Sequence, residues 1–164
     1  MIEADEYDTA YFDKRPKMIH YHPEIAILNN LEFDHADIYP DLAAIQLQFH
    51  YYLKTIATKG IVLKPRDDLA LNDVLQRGLF CNLEEFALDG QSDWRAQVLD
   101  ESGSHFYIWQ KNTKMAEVRW PLMGRFNVEN GLAAVAASSH AGVPVVVAAQ
   151  ALASFKPVKR RLEV

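Results

Sequence analysis

The sequence predicts an α/β fold of three layers, in which a mostly parallel sheet is flanked by helices and extended by an antiparallel β-meander. Three observations predict this fold. An apolar run at residues 25–28, IAIL, is typical of a strand that is buried on both faces. Apolar residues recur at helical spacing between residues 42 and 56. The period then changes to two between residues 84 and 120, as in half-buried strands.

The first predicted elements are short and are separated by a proline. The apolar run KMIHY at residues 17–21 predicts a strand, and Pro23 breaks it. The run at residues 25–28 predicts a second strand, which stops at Asn29 and Asn30. The polar segment NNLEFDHAD therefore follows the carboxyl end of a strand, which is where open α/β sheets bind ligands.

Helices and strands are then predicted to alternate. Asp41 is a predicted N-cap for the helix that carries the apolar residues up to Ile56. Residues 61–63 predict a strand, and residues 69–76 predict a second helix that Gly78 stops.

The second half of the chain begins with the predicted meander. The segments EFAL, WRAQVL, HFYIWQ and MAEVRW are separated by polar turns and predict four antiparallel strands. Three tryptophans lie at strand spacing here and are expected to pack in the core or on a sheet face: Trp94, Trp109 and Trp120. An alanine-rich helix is predicted over residues 127–140 with Gly142 as its stop, and Pro144 begins a further helix through Ser154.

The composition is that of a globular and mildly acidic protein. The 164 residues include 17 Lys and Arg against 22 Asp and Glu, a formal net charge of −5, which argues against a general nucleic-acid binder. The lone cysteine, Cys81, excludes an intrachain disulfide and fits a reducing compartment. No apolar run approaches the ~20 residues that span a bilayer, and the acidic start lacks the apolar core of a signal peptide. The sequence predicts a cytoplasmic protein that binds neither nucleic acid nor membrane.

Charge is unevenly placed at the two ends of the chain. Acidic residues crowd the first 13 positions, and basic residues crowd the last nine. The chain opens almost directly into the acidic cluster and stops in RRLEV, which is typical of the start of a strand. Natural domains usually begin and end in exposed, dispensable segments. We therefore expect a fragment of a longer protein.

Two polar segments in the first part of the chain are candidate cation ligands. The carboxylates Glu3, Asp5 and Glu6 in EADEYD form either a solvated acidic turn or a site for Mg²⁺, which prefers carboxylate oxygens. His35 closes the polar run after the strand at residues 25–28, either as a surface side chain or as part of a ligand site.

Two later segments are candidate nucleotide contacts. Asn127 and Asn130 are three residues apart, so both lie on one face at the start of a helix. Either Asn127 caps the helix and Asn130 faces water, or an amide reads the edge of an adenine. Arg161, in the run KRR, is either solvated or clamps a phosphate. The chain contains no P-loop motif, no G-x-G-x-x-G, no G-x-S-x-G and no His or Cys cluster with zinc spacing.

Taken together, four segments resemble the central ATPase domain of the Mur ligases, the ATP-dependent enzymes of peptidoglycan assembly. That family shows E-x-D-E, then N-x-E-x-D-H after a strand, then G-x-[HF]-N-x-x-N opening a helix, and later R-[FL]-E. The chain contains EADE, NLEFDH, GRFNVEN and RRLE in that order. The resemblance implies that residues 1–164 are part of a P-loop-type central domain and that the P-loop, the N-terminal UDP-binding domain and the C-terminal domain are absent. We expect such a fragment to be inactive alone. Because its sheet would have an uncovered edge or a gap, we expect it to self-associate, to be weakly stable or to depend on the missing segments.

The resemblance also implies a reaction. The run YFDKR and the NNL before E-x-D-H favour the subgroup of peptidoglycan recycling. Its substrates are ATP, UDP-N-acetylmuramate and the salvaged tripeptide L-Ala-γ-D-Glu-meso-diaminopimelate, which are joined through an acyl phosphate. Two alternatives stay open. One is the subgroup that adds L-alanine, in which a serine is typical where this chain has Tyr7, and the other is a non-catalytic nucleotide-binding module.

Site residues follow from the same resemblance. Glu3 and His35 match the ligands of Mg²⁺, although imidazole is an unusual partner for so hard a cation. Four residues match positions at which the family binds ATP: Phe126, Asn127, Asn130 and Arg161. Of these, Asn130 matches the amide that reads adenine and Arg161 the arginine near the phosphates. Asn127 is expected to cap the same helix.

Overall fold

Helices and strands are interspersed along the chain in the computed structural model, which describes residues 1–156. The chain divides into two compact units, Met1–Glu85 and Phe86–Val164. Each unit combines paired strands with helices, and the strand pairs are both parallel and antiparallel. The predicted α/β class is confirmed. None of the helices in residues 1–156 is long and apolar enough to cross a membrane.

The first unit contains a hairpin and a parallel strand pair. Its elements are β1 (Asp8–Ala10), β2 (Asp13–Pro16), a 3-10 helix (Lys17–His20), β3 (Ile25–Ile27), α1 (Leu42–Leu53), β4 (Ile61–Pro65), α2 (Leu69–Gln76) and the start of β5 (Asn82–Ala87). β1 and β2 pair antiparallel. β3 and β4 pair parallel, with Ile25 opposite Ile61 and Ile27 opposite Leu63. The carboxyl ends of β3 and β4 therefore lie side by side.

Both helices of this unit begin at an aspartate. The Ala44 N–H donates to Asp41 Oδ1 at 2.8 Å, and the Leu71 N–H donates to Asp68 Oδ1 at 2.9 Å. Asp41 is therefore the N-cap of α1, as predicted, and α2 has the predicted bounds. The helices contribute to one apolar core, which includes Met18, Ala26, Leu28, Ile45, Leu53, Val62, Leu71 and Val74.

Two predictions about the first unit are wrong. Residues 17–20 form the 3-10 helix with Tyr21 as its C-cap, so the strand predicted at residues 17–21 is not formed. Met18 is buried and its neighbour Ile19 packs against the same core, whereas adjacent strand residues point to opposite faces. The strand at residues 25–28 is confirmed as β3, but the Ile27 residue is 36% exposed, so burial on both faces does not hold in this chain.

The second unit continues from β5 into a three-stranded antiparallel sheet. Its further elements are β6 (Trp94–Val98), β7 (His105–Gln110), β8 (Thr113–Arg119), α3 (Arg125–His140) and α4 (Val145–Ala153). β6 pairs antiparallel with β7, and β7 with β8. The final helix begins after Pro144 and is capped at Ser154, as predicted.

The predicted meander is wrong in its first strand. β5 pairs with β6 in parallel, with Phe86 opposite Trp94 and Ala87 opposite Arg95. A parallel neighbour normally needs a crossover of a dozen or more residues. Here the end of β5 lies beside the start of β6, so the link at residues 88–93 only shifts the chain sideways.

The sheet of the second unit has one apolar face. Its inward residues are fully or almost fully buried: Trp94, Ala96, Phe106, Ile108 and Val118. Trp120 is also buried, and its ring lies edge-on to Phe106 at 5.2 Å between centroids. Trp109 lies on the opposite face, where the Arg95 guanidinium is 4.8 Å from its ring. The three tryptophans therefore pack in the core or on a sheet face, as predicted.

α3 packs closely at Gly131. This residue is buried, and a Cβ built on it would lie 2.8 Å from Cη2 of Trp120 and 3.0 Å from Cζ3. The helix backbone therefore approaches the indole as near as a residue without a side chain allows.

Replacing Gly131 with alanine is expected to destabilise the protein, although alanine favours a helix over glycine by ~1 kcal/mol. The new methyl group would overlap the ring of Trp120, which is itself buried. We expect the free energy of unfolding to fall by about 1–2 kcal/mol, measured by chemical denaturation.

The matched control is the same change in a Trp120→Phe background, which lacks the two overlapping ring atoms. The hydrogen bond from Trp120 Nε1 to Gly103 O is absent from both Trp120→Phe proteins, with and without Gly131→Ala. Its loss therefore does not contribute to the difference in stability between these two proteins. Gly131→Ala should cost less there. An equal cost in both backgrounds would show that the indole is not what excludes alanine.

Candidate functional site

The two predicted metal ligands both lie in the first unit. Glu3 is exposed. The His35 side chain is about one-fifth exposed, and its Nε2 lies 2.9 Å from Oε1 of Glu6. The Tyr7 ring packs against the imidazole, with 4.2 Å between centroids. The structure thus brings the acidic segment to His35 through Glu6, while the pairing of Glu3 with His35 stays a prediction.

A tight turn holds His35 in place. Its backbone φ of 57° lies in the left-handed region, which non-glycine residues rarely adopt. The backbone N–H groups of Ile38 and Tyr39 donate to the His35 carbonyl at 2.9 and 3.0 Å. The Tyr39 hydroxyl then donates to the Glu6 carbonyl at 2.6 Å. The turn after His35 is therefore connected to the acidic segment through side-chain and backbone contacts.

Nearby cations neutralise part of the acidic segment. Lys17 Nζ lies 3.3 Å from Asp5 Oδ2, and Lys14 Nζ lies 2.8 Å from Asp8 Oδ2. Burial, and then the charges of Glu6, Asp8 and Asp5, raise the pKa of Tyr39 to about 12. The phenol therefore stays protonated and remains a donor to Glu6 across the neutral range.

The chemistry of these side chains fits a hard cation. Asp5 Oδ1 is buried and has no hydrogen-bond partner among the described residues, so one carboxylate oxygen of the segment is uncommitted. No three side chains from His, Cys, Asp and Glu within residues 1–156 are placed to hold a metal together. An ion here would take few protein ligands and complete its shell with water and phosphate, as Mg²⁺ does.

Sequence reasoning missed the part that Asp68 takes in this region. The structure shows that the Leu31 N–H, in the segment NLEFDH, donates to Asp68 Oδ2 at 3.0 Å. An N-cap aspartate before a helix is recognisable from sequence, but its second oxygen gives no sequence signal.

The predicted nucleotide contacts of the second unit lie at the start of α3. The helix N-cap is Gly124, with φ of 94°, and not Asn127 as predicted. Asn127 is instead the third helical residue, and its Nδ2 donates to the Met123 carbonyl at 2.7 Å. Asn130 is exposed one turn on, and the Phe126 residue is 53% exposed. Arg161 lies outside the described residues.

Charged side chains flank the same end of α3. Arg125 donates to Asp89 Oδ2. The pKa of Glu129 is raised above its usual value, chiefly because the carboxyl is partly buried. The charge of Asp89 adds to this increase, and the nearby Arg125 opposes it. Phe126 and Asn130 thus lie on a helix start whose carboxylates are partly offset by Arg125.

Comparison with known families identifies a match over most of the chain. The family model described as "Mur ligase middle domain" matches residues 2–138. The match includes every predicted site residue of the described chain, from Glu3 to Asn130.

Two curated relatives share one name, UDP-N-acetylmuramate–L-alanyl-γ-D-glutamyl-meso-2,6-diaminoheptandioate ligase. The protein of Haemophilus influenzae is 45% identical over 164 residues, and that of Escherichia coli is 45% identical over 163 residues. They match 100% and 99% of this chain. The chain spans only 36% and 35% of their lengths, so it corresponds to about a third of each relative.

The chain is also similar to a ligase with a different acceptor in its name and to a protein of known structure. A UDP-N-acetylmuramate–L-alanine ligase of Cytophaga hutchinsonii is 34% identical, with 99% of this chain and 33% of that protein covered. The crystal structure of a UDP-N-acetylmuramate:L-alanyl-γ-D-glutamyl-meso-diaminopimelate ligase from Neisseria meningitides superposes with a TM-score of 0.87. It is 46% identical, and the match covers 97% of this chain and 48% of that one.

Replacing Tyr39 with phenylalanine is expected to lower the free energy of unfolding at pH 8 by about 1 kcal/mol, because the hydrogen bond to Glu6 is lost. The pKa of Tyr39 is about 12 in the folded protein and about 10 when unfolded. Its stabilisation is therefore complete below pH 10 and is lost as the pH rises from 10 through 12. Chemical denaturation at pH 8 and pH 11 should show the cost of Tyr39→Phe falling with pH. If Tyr39→Phe costs the same free energy of unfolding at both pH values, the raised pKa of the Tyr39 hydroxyl is contradicted. Tyr11→Phe, at an exposed tyrosine, serves as the control.

Proposed function

The chain belongs to the Mur ligases through their middle domain, and from this membership we propose that the whole protein is an ATP-dependent ligase of peptidoglycan recycling. It would join UDP-N-acetylmuramate to the tripeptide L-Ala-γ-D-Glu-meso-diaminopimelate. The observation that carries this choice is the 45% identity, over the whole chain, to two ligases whose name states that acceptor.

The identity to an L-alanine ligase is lower, at 34% over nearly the same length. Both kinds of relative share the donor in their names, UDP-N-acetylmuramate. The two kinds of relative therefore differ in the acceptor that their names state.

The proposed reaction has two steps. The γ-phosphoryl group of ATP moves to an oxygen of the lactyl carboxylate of UDP-N-acetylmuramate, and ADP leaves. The free amine of the tripeptide then attacks the acyl carbon, inorganic phosphate leaves, and the amine nitrogen loses a proton. Negative charge accumulates during the first step, so the protein must position the groups and offset that charge.

Glu3 and His35 are the proposed holders of Mg²⁺, which would neutralise charge on the phosphates. The contact between His35 and Glu6, and the bond from Tyr39 to the Glu6 carbonyl, support a fixed orientation of the imidazole. A carboxylate that orients a ligating histidine is a recurrent feature of metal sites. Within this chain, the acidic segment would thus supply an ion ligand and a residue that orients the second ligand.

The proposed adenine contacts lie at the start of α3. Asn127 Nδ2 donates to the Met123 carbonyl at that end, and the exposed Asn130 is proposed to read the base edge, as the family motif implies. Phe126 offers an exposed ring for stacking. Arg161 is proposed to contact the phosphates, as the family motif implies.

A UDP-binding domain, a P-loop and a C-terminal domain are proposed to lie outside these 164 residues, so that this part alone would not ligate. A cytoplasmic location fits the single cysteine and the use of ATP.

Replacing Glu3 or His35 with alanine in the full-length ligase is expected to reduce tripeptide ligation more than about a hundredfold. Even residues that only support metal ligands cost about 10- to 100-fold when removed. The assay is ADP release that depends on UDP-N-acetylmuramate and tripeptide, with circular dichroism to verify the fold.

The matched control is His105→Ala. His105 also places its Nε2 2.9 Å from a glutamate oxygen, that of Glu117, but on strands that the proposal does not use. This variant should keep wild-type ligation. Normal ligation by both Glu3→Ala and His35→Ala would reject the metal assignment.

The acceptor is expected to be the tripeptide. In the full-length ligase, kcat/KM for the tripeptide should exceed that for free L-alanine by at least about a hundredfold, since a site that binds a larger polar acceptor leaves groups unpaired with a smaller one. A preference for L-alanine would reassign the protein to synthesis, while leaving the ligase chemistry intact.

A further inference from the structure

The Asp68 carboxylate binds two backbone N–H groups that are far apart in the chain. Its Oδ1 accepts from Leu71 at 2.9 Å and so caps α2. Its Oδ2 accepts from Leu31 at 3.0 Å, 37 residues away. A cap needs only one oxygen, so the second bond is not explained by helix formation.

The amide on the second oxygen belongs to the segment that leads to His35. Leu31 is a buried residue four positions before His35, and residues 28–35 have neither helical nor strand structure. The Leu28 N–H donates to the Leu63 carbonyl of β4 at 2.9 Å, which fixes the start of the segment. The bond from Leu31 to Asp68 therefore fixes the middle of residues 28–35, where strand pairing no longer constrains the backbone.

The backbone that leads to Asp68 is held by hydrogen bonds from a buried lysine. Lys64, at the end of β4, is fully buried, and its Nζ donates to the carbonyls of Pro65 and Arg66 at 2.6 and 3.1 Å. The same Nζ lies 2.9 Å from Glu85 Oε1. These bonds hold the backbone between β4 and Asp68, so the carboxylate is placed by the sheet and not only by its own helix.

We propose that Asp68 is a positioning residue for phosphoryl transfer: by binding the Leu31 amide it fixes the loop that presents His35. This inference rests on the proposed function. Asp68 is not assigned any contact with substrate or metal, and it acts through the backbone of residues 31–35. The bond also satisfies a buried N–H that would otherwise destabilise this conformation of the loop.

α1 provides an internal comparison. Asp41 caps α1 in the same way, with Oδ1 accepting from Ala44 at 2.8 Å. Asp41 and Asp68 thus share one function, the cap, and are distinguished by the bond from Leu31 to Asp68. Serine at an N-cap keeps the cap but has a single side-chain oxygen. Asp68→Ser and Asp41→Ser therefore separate the bond to Leu31 from the stability of the helix.

The first measurement is amide hydrogen exchange in the full-length protein without Mg²⁺ or nucleotide. Asp68→Ser should speed exchange at Leu31 about tenfold and leave the amides of α2 unchanged, because one hydrogen bond to a charged acceptor is removed. Asp41→Ser should change neither. Exchange at Leu31 that stays at the wild-type rate would overturn the proposal.

The second measurement is steady-state ligation against Mg²⁺. Asp68→Ser should raise the half-saturating Mg²⁺ concentration about tenfold, the effect expected of a residue that supports a ligand, with the KM for tripeptide unchanged. Mere loss of folded protein would lower kcat alone and leave the Mg²⁺ dependence as in the wild type, which would also overturn the proposal.

Asp68→Asn provides a second test in case Asp68→Ser does not fold. Glu3→Ala and His35→Ala distinguish failure of the positioning role from failure of the proposed function. Asp68→Asn keeps the shape and the cap but turns an amide donor toward the Leu31 N–H, so it should give the same two results. If Glu3→Ala and His35→Ala abolish ligation while both Asp68 variants match the wild type, the positioning role is rejected and the proposed function stands. If Glu3→Ala and His35→Ala ligate normally, the metal assignment is rejected and the positioning role falls with it.

Discussion

The parallel register of β3 and β4 is the constraint on which the candidate metal region depends. Ile27 lies opposite Leu63, so both strands end at the same edge, and the segments that follow them begin side by side. That proximity allows one carboxylate, from Asp68, to bind the backbone of both segments. Without this register, the irregular loop that carries His35 would not lie beside Asp68, which binds the Leu31 N–H.

Electrostatics sets a second constraint in the same unit. Five carboxylates occur within the first 13 residues, and close contacts to Lys14 and Lys17 offset part of their charge. Asp5 nevertheless keeps one buried oxygen that has no hydrogen-bond partner within residues 1–156. An acidic segment that is only partly neutralised is consistent with a protein that binds a cation together with an anionic nucleotide, because the cation completes the charge balance.

Local sequence signals predicted the helices well, and pairings between distant segments were not predicted. The bounds of α2 and the cap at Asp41 follow from residues within a few positions of each other. The direction of β5 relative to β6 does not, since it depends on the path of a short link. The contacts of His35 with Glu6 and of Leu31 with Asp68 join residues 29 and 37 positions apart, and no local pattern marks them. The family motifs pointed to Glu3 and His35 through resemblance and not through geometry.

The contact between Gly131 and Trp120 has a consequence for the start of α3, where the adenine contacts are proposed. A helix that lies against an indole with no intervening methyl group can neither rotate about its axis nor slide without moving the ring. This contact therefore restricts the directions in which the residues of α3 can point. Asn130, one position before Gly131, is turned about 100° from the buried line and faces outward. A buried position without a side chain thus helps to determine which amide the helix would present to the proposed purine.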